Sequence, residues 1–217
     1  MACCCTTNPI QEGANSFFSK FAGTYARRFR RKGLERVQKL LLDGVRREQV
    51  IGRDVLDIGC GVGALHLTLL KEGAGRAMGI DMSEAMIATA RQFSRDLGVS
   101  DRAEYVVGDF VGVAETIRDS DVTLLDKSVC CYEDLEALVK ASTAKTKRMY
   151  ALSHPKQNLF MEIAFKGHIA FARLFKWKFH PFWHDWTKLK ETIQRLGFEL
   201  VYSDSTPMWQ VLVFRRT

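Results

Sequence analysis

Residues 57–63, Asp57-Ile58-Gly59-Cys60-Gly61-Val62-Gly63, decide the fold of this chain. The stretch follows a short apolar run, residues 54–56, that predicts a buried strand, and it leads into residues 64–70, which predict a helix. Three glycines at alternate positions allow a sharp turn, and they let the backbone approach a ligand closely because no Cβ intervenes. The stretch therefore predicts a strand–turn–helix unit with a ligand beside the turn.

Asp57 stands two places before the first glycine and narrows the class of ligand. A carboxylate at this position repels phosphate, but it can receive a cationic or hydroxyl-bearing ligand. S-adenosylmethionine (SAM) has no phosphate and carries a sulfonium and an ammonium. The acidic glycine turn therefore favours SAM over a phosphate-bearing ligand.

Short apolar runs alternate with amphipathic helices after residue 54, which predicts βαβ units and a parallel sheet. The predicted strands are 54–58, 76–80, 103–107, 121–126 and 147–152, and the predicted helices lie near 63–72, 83–97, 111–118 and 132–143. Two last strands, 198–202 and 211–214, are too close for a crossover helix and predict an antiparallel hairpin. The fold class is α/β: a Rossmann-like, doubly wound, mostly parallel seven-stranded sheet that ends in this hairpin.

The length of 217 residues suits one domain, residues 1–217. Residues 1–15 are predicted to be a flexible tail, and residues 16–48 are predicted to form two helices, divided at Gly33, that cover the site. Residues 50–217 are the predicted Rossmann-like core. Within this core, residues 156–190 are predicted to be an insertion on the acceptor side.

Hydrophobic residues make up 47% and charged residues 26% of the chain, which is typical of a globular protein. No apolar run approaches the roughly 20 residues of a membrane span, and the first residues lack a secretory pattern, so a cytoplasmic location is expected. The net charge of +7 is unevenly distributed: residues 20–53 and 156–190 are basic, and the rest of the chain is acidic. Such segments can contact phosphate, anionic lipid or a carboxylate substrate, or can be solvated helix faces.

The six cysteines form two groups, Cys3-Cys4-Cys5 and Cys60 with Cys130-Cys131. A disulfide framework is not expected in a reducing compartment, and without Cys-x-x-Cys spacing or paired histidines no metal site is expected. The N-terminal trio is interpreted as part of the tail, with metal or metalloid capture and acylation as alternatives.

Two more acidic positions follow at the ends of predicted strands. Asp81, which precedes Met82, lies 22 residues beyond Gly59, where a carboxylate can accept hydrogen bonds from both hydroxyls of a ribose. Asp109 can accept from an adenine amino group, and Phe110 can lie against the ring. The order of these features along one fold indicates an adenosine-bearing ligand.

With these motifs in place, the chain resembles the class I SAM-dependent methyltransferases across roughly residues 50–217. The resemblance rests on Asp57-x-Gly59-x-Gly61-x-Gly63, Asp81 and Asp109-Phe110. It implies that SAM lies across the carboxyl ends of the first four strands, with the glycine turn beside its methionine part. The predicted cofactor-binding residues are Asp57, Gly59, Gly61, Gly63, Asp81, Met82, Asp109, Phe110 and Asp126.

A nicotinamide enzyme is the alternative, because Gly59-x-Gly61-x-x-Ala64 also fits the dinucleotide fingerprint. In that case Asp57 would face a pyrophosphate, and a terminal hairpin would not be expected. In addition, no tyrosine of the chain is followed by a lysine four residues later. These features favour SAM.

Acceptor-side residues are expected at the ends of the fourth and fifth strands and on the covering helices. His154 is the candidate base because a histidine titrates near neutral pH, although a histidine that only hydrogen-bonds at a strand end fits equally well. Lys127 can hold an acidic substrate or extend to solvent. The predicted catalytic residues are His154, Tyr25 and Cys131.

Nine aromatic residues between 160 and 186, interleaved with basic ones, predict a wall of the acceptor pocket. They favour a flat, apolar and acidic small molecule as the acceptor, with O-methylation as the favoured reaction. A packed helix whose edge faces a membrane or a partner is the alternative, and it predicts peripheral membrane contact through this segment. The oligomeric state is not predicted.

The order of features also resembles the magnesium-protoporphyrin O-methyltransferases within the superfamily. This resemblance implies roles for a tyrosine of the cover, here Tyr25, and for a histidine before Tyr132, a position that Cys131 occupies in this chain. Cys60, Cys130 and Cys131 suggest thiol or metalloid methylation as an alternative, and a SAM-binding module without transfer is another. Signatures of enzymes that methylate adenine or cytosine are missing, so nucleic acid is not expected as a partner.

Overall fold

The computed structural model describes residues 9–177 and 179–217. Seven strands form one sheet in the order β3-β2-β1-β4-β5-β7-β6. They are β1 (Val55–Ile58), β2 (Ala77–Asp81), β3 (Ala103–Val107), β4 (Ser120–Asp126), β5 (Thr146–Pro155), β6 (Phe198–Ser205) and β7 (Trp209–Arg216). Strand β7 is antiparallel to both neighbours, and the other pairs are parallel. The predicted doubly wound sheet with an antiparallel terminal hairpin is confirmed.

Helices cover both faces of this sheet. In the part of the chain that the structure describes, they are α1 (Pro9–Lys32), α2 (Arg36–Val45), α3 (Ala64–Lys71), α4 (Glu84–Asp96), α5 (Phe110–Val113), α6 (Leu135–Ala144), α7 (Leu159–Leu174) and α8 (Trp186–Arg195). None of these described helices combines the length and the hydropathy needed to cross a bilayer. The predicted helix near 111–118 is the short α5 followed by a 3-10 turn.

The N-terminal helix begins earlier than predicted. It starts at Pro9, so residues 9–15 are helical rather than part of a flexible tail. Proline suits the first helical position because its missing N–H would have no partner there. The predicted division at Gly33 is observed, and this residue has a φ of +65°. Residues Cys3-Cys4-Cys5 lie outside the described residues.

Alternate side chains of the central strands enter two separate cores. Val55 of β1 packs in the core that contains α2, α3 and α4, whereas Leu56 and Ile58 enter the core that contains α6 and α8. Side chains of a strand alternate between the faces of a sheet, so Asp57 lies on the first of these faces. This alternation decides which polar side chains at the strand ends can meet.

Helix α2 is held closely against the terminal hairpin. A Cβ on Gly44 would lie 2.4 Å from Cδ1 of Tyr202 and 2.6 Å from Cγ2 of Val213, so only glycine permits this approach. At the other end of α2, Glu35 and Gln38 form a reciprocal capping box. The contact with the hairpin therefore brings the first turn of α2 to the carboxyl end of β4, where Gln38 contacts Asp126.

Candidate functional site

A cavity lies beyond the carboxyl ends of β1, β2 and β4, where the strand order reverses between β1 and β4. Ligands of doubly wound folds bind at this kind of crevice. The glycine turn after β1 forms one wall, and α1 with the first turn of α2 forms the cover. The predicted site residues that line the cavity are Asp57, Gly59, Gly61, Asp81, Met82, Phe110, Asp126, Tyr25 and Cys131.

Asp81 closes the glycine turn. Its Oδ2 accepts a hydrogen bond from the Gly61 N–H at 2.8 Å, and its Oδ1 accepts from the Ser83 N–H at 2.8 Å. Burial raises the pKa of Asp81 above its ordinary value. A Cβ on Gly61 would meet no atom within 4 Å, so the peptide there lies open to the cavity. A ligand can approach the backbone at this point.

Asp57 borders the cavity, but its carboxylate is paired inside the protein. Its Oδ2 lies 2.7 Å from Nδ1 of His66, and both side chains are buried. The other ring nitrogen of His66 lies 3.2 Å from the hydroxyl of Tyr105. Asp57 therefore ties the glycine turn to α3 and contributes negative potential, rather than a free carboxylate, to the cavity.

Ser128 is a lining residue that sequence reasoning did not identify. The residue is 8% exposed, and its hydroxyl has no hydrogen-bond partner within the described structure. A Cβ on Gly59 would lie 2.7 Å from the Ser128 Cβ, so Ser128 stands directly across the glycine turn. A buried hydroxyl without a partner costs about 1–3 kcal/mol, which a polar ligand in the cavity would recover.

The cover contributes two further polar residues that sequence reasoning missed. Glu35 Oε2 accepts a hydrogen bond from Lys127 Nζ at 2.6 Å, and Gln38 Nε2 donates to Asp126 Oδ2 at 3.0 Å. Both residues belong to the capping box of α2. A Glu-x-x-Gln spacing at a predicted helix start is the sequence signal that could have located them.

Asp126 and Lys127 at the end of β4 complete this group. Asp126 Oδ1 accepts from the Ser153 hydroxyl at 2.6 Å, and the same hydroxyl accepts from the Lys127 N–H at 2.8 Å. Burial raises the pKa of Asp126 above its ordinary value. Lys127 has a φ of +57°, which L-residues with a side chain rarely adopt. This left-handed backbone conformation orients the Lys127 ammonium toward Glu35.

Tyr25 and Cys131, which are predicted catalytic residues, line the cavity. Burial raises the pKa of Tyr25, whose side chain is nevertheless 40% exposed at the cover. A hydrogen bond with Cys130, together with burial, raises the pKa of the Cys131 thiol well above its ordinary value. Both groups are therefore protonated at neutral pH and can donate hydrogen bonds, but they are poor bases.

His154 lies outside the cavity, which corrects its prediction as the base. It is 4% exposed, stacks on Trp186 with ring centroids 4.8 Å apart, and donates to the Pro155 carbonyl from Nδ1 at 2.8 Å. Burial lowers the pKa of His154 to about 4. The reason is strand alternation: Ser153 points to the face of Asp126, so its neighbour His154 points to the opposite core.

Gly63 and Asp109 also do not line the cavity. Gly63 precedes α3 with a φ of +84°, and a Cβ there would lie 2.9 Å from Cδ1 of Leu67. Asp109 caps α5 by accepting from the Gly112 N–H, and it also accepts from the Tyr132 hydroxyl. These bonds occupy the carboxylate predicted to bind adenine, whereas Gly108 and Phe110 beside it do line the cavity.

The aromatic segment 156–190 does not form the predicted wall, because none of its described residues, 156–177 and 179–190, lines the cavity. It instead braces the loop after β4 from outside. The Phe182 N–H donates to the Cys130 carbonyl at 2.7 Å, and His184 Nε2 donates to the Tyr132 carbonyl at 2.8 Å. Phe18 and Tyr25 of α1 take the place of the predicted wall. The described residues contain no group of three or more metal-ligating side chains placed to hold an ion.

Comparison with known families supports the interpretation of the glycine turn. Residues 55–155 match the family model of a methyltransferase domain. A ribosomal protein L11 methyltransferase of Enterobacter sp. (strain 638) is 44% identical over 63 residues, which are 29% of this chain and 20% of that protein. The match thus spans about a fifth of the length of the curated relatives.

Solved structures resemble nearly the whole chain. The magnesium protoporphyrin IX methyltransferase of Synechocystis PCC 6803 with bound SAH has a TM-score of 0.72 and 20% identity, covering 94% of this chain and 98% of that one. The [4+2]-cyclase SpnF has a TM-score of 0.66 and 15% identity, covering 82% of this chain and 81% of that one. At these identities the similarity shows the fold.

Proposed function

We propose a methyl-transfer reaction for this chain, which belongs to the class I SAM-dependent methyltransferases through its domain at residues 55–155. The methyl group of SAM passes to a small acceptor in the cavity under α1 and α2. One observation carries this proposal: a single cavity joins the glycine turn and Asp81 on one side to Tyr25, Glu35 and Lys127 on the other.

The cavity lining fits SAM. When bound, SAM supplies an electrophilic methyl group on a sulfonium. Asp57 and Asp81 give the glycine-turn side negative potential, which suits the positive charges of this ligand. The open peptide at Gly61 and the unpartnered hydroxyl of Ser128 offer polar contacts, and Asp81 retains lone pairs for the ribose hydroxyls. The remaining predicted cofactor-binding residues that line the cavity and would hold SAM are Gly59, Met82, Phe110 and Asp126.

We infer that the acceptor atom is a carboxylate oxygen. Lys127 is the only cationic side chain that lines the cavity among the described residues. A carboxylate acceptor would replace Glu35 as its partner. Such an acceptor is already ionised at neutral pH and needs no base, which agrees with the raised pKa values of Tyr25 and Cys131.

The walls of the cavity favour a flat and apolar acceptor. Four aromatic residues, Phe18, Tyr25, Phe110 and Tyr132, belong to the lining. A porphyrin carboxylate, as the name of the Synechocystis neighbour suggests, is compatible with this lining. In the reaction, Lys127 and Tyr25 orient the acceptor, and the helical cover excludes water, so alignment supplies most of the rate enhancement.

Two alternatives have specific support. An acceptor thiol or hydroxyl could pass its proton to Asp126, because a raised pKa makes this carboxylate a stronger base. A SAM-binding module without transfer is the second alternative, since the fold is shared with a protein described as a [4+2]-cyclase. The absence of a nucleic-acid partner and the cytoplasmic location stay predictions.

Calorimetry and a transfer assay test this proposal together. The full chain is titrated with SAM, and labelled methyl transfer is then measured against aromatic carboxylic acids and matched thiols and phenols. We expect SAM binding and transfer to carboxylates that is lost in Lys127→Met, whereas Lys147→Met at the far end of β5 keeps it. If SAM does not bind, the proposal of a methyltransferase is wrong. Binding of SAM without methyl transfer supports a SAM-binding module. Transfer to thiols alone contradicts the proposal that the acceptor atom is a carboxylate oxygen.

A further inference from the structure

Helix α7 presents an apolar face to solvent. Phe160 and Leu174 are 77% and 76% exposed, and Ile163 and Phe171 are 62% and 49% exposed. Spacings of three, eight and three residues place these four side chains on one side of the helix. We call these four residues the α7 face. Only Met161 and Ala172 of α7 are buried, on the opposite side.

The apolar surface extends beyond α7. The Phe175 ring lies 4.3 Å from that of Phe171, and the Trp177 ring lies 5.7 Å from it. Phe175 and Trp177 are themselves 57% and 46% exposed. Contiguous exposed apolar patches of this kind mark interaction surfaces.

Basic side chains accompany this surface. Lys166 and Arg173 are exposed on one edge of the α7 face, and Lys176 follows the helix. Glu162 is the one acidic residue of α7 and forms an ion pair with Lys166 at 2.5 Å. The segment therefore keeps a net positive charge beside its exposed aromatic rings, which is the pattern of helices that lie in the interface of an anionic membrane.

We propose that the α7 face binds the surface of a bilayer that contains anionic lipid, with α7 parallel to the membrane plane. The exposed rings and Leu174 enter the acyl boundary, and Lys166, Arg173 and Lys176 contact the headgroups. A second copy of the chain fits this surface less well, because twofold pairing would bring like charges together and interface cores are depleted in lysine. The proposal is independent of the reaction in the cavity.

Vesicle sedimentation of the full chain tests this proposal. We expect sedimentation with vesicles of phosphatidylcholine mixed with phosphatidylglycerol, and much less with phosphatidylcholine alone. The double variant Phe160→Ser/Leu174→Ser should lower the partition coefficient about tenfold or more, because it removes the deepest apolar contacts. Ile51→Ser is the matched control, since Ile51 is 65% exposed before β1, at the other end of the sheet.

A charge-reversal variant separates the electrostatic contribution to vesicle binding from the apolar one. Lys166→Glu/Arg173→Glu should abolish the preference for phosphatidylglycerol, with residual binding that no longer depends on salt. The inference is overturned if the wild type stays in the supernatant with both vesicle types, or if Phe160→Ser/Leu174→Ser sediments like the wild type. It is also overturned if size-exclusion chromatography shows that the wild type is a dimer and that this double variant is a monomer, because α7 would then be a dimer interface.

Discussion

Lys127 and Glu35, 92 positions apart in the sequence, form a 2.6 Å ion pair that joins the end of β4 to the first turn of α2. The two side chains are 24% and 15% exposed, so the pair is shielded without being fully buried. Glu35 also pairs with Arg28 of α1 at 2.9 Å. One glutamate thus connects the sheet with both helices of the cover, at the wall where we place the acceptor.

The backbone of Lys127 predicts an unusual order of stability between two variants. Lys127→Ala and Lys127→Gly both remove the ion pair, but only glycine adopts the left-handed conformation at φ +57° without a steric cost. We expect the glycine variant to have the larger free energy of unfolding, by about 1 kcal/mol. Urea denaturation measures the difference. Position 147, on strand β5, is the control: there the alanine variant should be more stable than the glycine variant. Equal stabilities of Lys127→Ala and Lys127→Gly would refute the proposed backbone strain.

The close approach of Gly59 to Ser128 predicts a coupled pair of substitutions. Gly59→Ala should reduce the free energy of unfolding by about 2 kcal/mol or more, because its Cβ would meet the Ser128 Cβ at 2.7 Å. Gly61→Ala, whose Cβ meets nothing, should cost about 1 kcal/mol. Adding Ser128→Gly to Gly59→Ala should restore part of the loss. If the changes in the free energy of unfolding for Gly59→Ala and Ser128→Gly are strictly additive, the predicted clash between the two Cβ atoms is refuted.

Asp81 is predicted to determine the affinity for SAM. Asp81→Asn leaves one acceptor oxygen where the carboxylate accepts from both the Gly61 and Ser83 N–H groups, and it weakens any bond from a ribose hydroxyl. We expect the Kd for SAM to rise about tenfold or more by calorimetry. The control is Asp101→Asn, which lies before β3 at the end of the sheet away from the cavity, and this variant should bind SAM like the wild type. Unchanged affinity in Asp81→Asn would refute the assignment.

His154 predicts a pH dependence of stability. Its pKa is lowered to about 4 in the folded protein, from an ordinary value of about 6.5. Between these values the unfolded chain binds more protons, so this group's contribution to stability is present above about pH 6.5 and is lost as pH falls toward about 4. His154→Phe keeps a ring on Trp186 and removes the titration.

The wild type should therefore lose up to about 3 kcal/mol relative to His154→Phe between about pH 7 and pH 4. Denaturation curves across this range measure the change, and a constant difference between the two proteins would contradict the buried neutral histidine. SAM binding should remain intact in this variant, because His154 does not line the cavity.

The sheet and most of the residues on the glycine-turn side of the cavity could be predicted because their signals are local. The glycine turn and Met82 follow directly from a strand and Asp81 ends one, and the ends of parallel strands meet at one edge of the sheet. Residues after neighbouring strands therefore converge without any knowledge of side-chain packing. Asp57 shows the limit of this reasoning, because its partner His66 lies on a helix, at a position that the turn does not specify.

The acceptor side depends on contacts that sequence spacing does not encode. Glu35 and Gln38 reach the cavity only because α2 packs against the hairpin, a contact between distant parts of the chain. His154 was placed wrongly because two adjacent polar residues, Ser153 and His154, end β5, and only the packing decides which of them faces Asp126. Aromatic composition likewise does not distinguish a pocket wall from an outward helix face.

The close packing at Gly44 affects the dimensions of the cavity under α2. Its contact with Tyr202 and Val213 sets the distance between α2 and the hairpin, and Glu35 and Gln38 move with that helix. The dimensions of the pocket are thus adjusted from residues that never touch a ligand. We therefore expect side-chain volume at Tyr202 or Val213 to alter the selectivity among acceptors, whereas the glycine-turn side of the cavity, built on β1 and β2, keeps its shape.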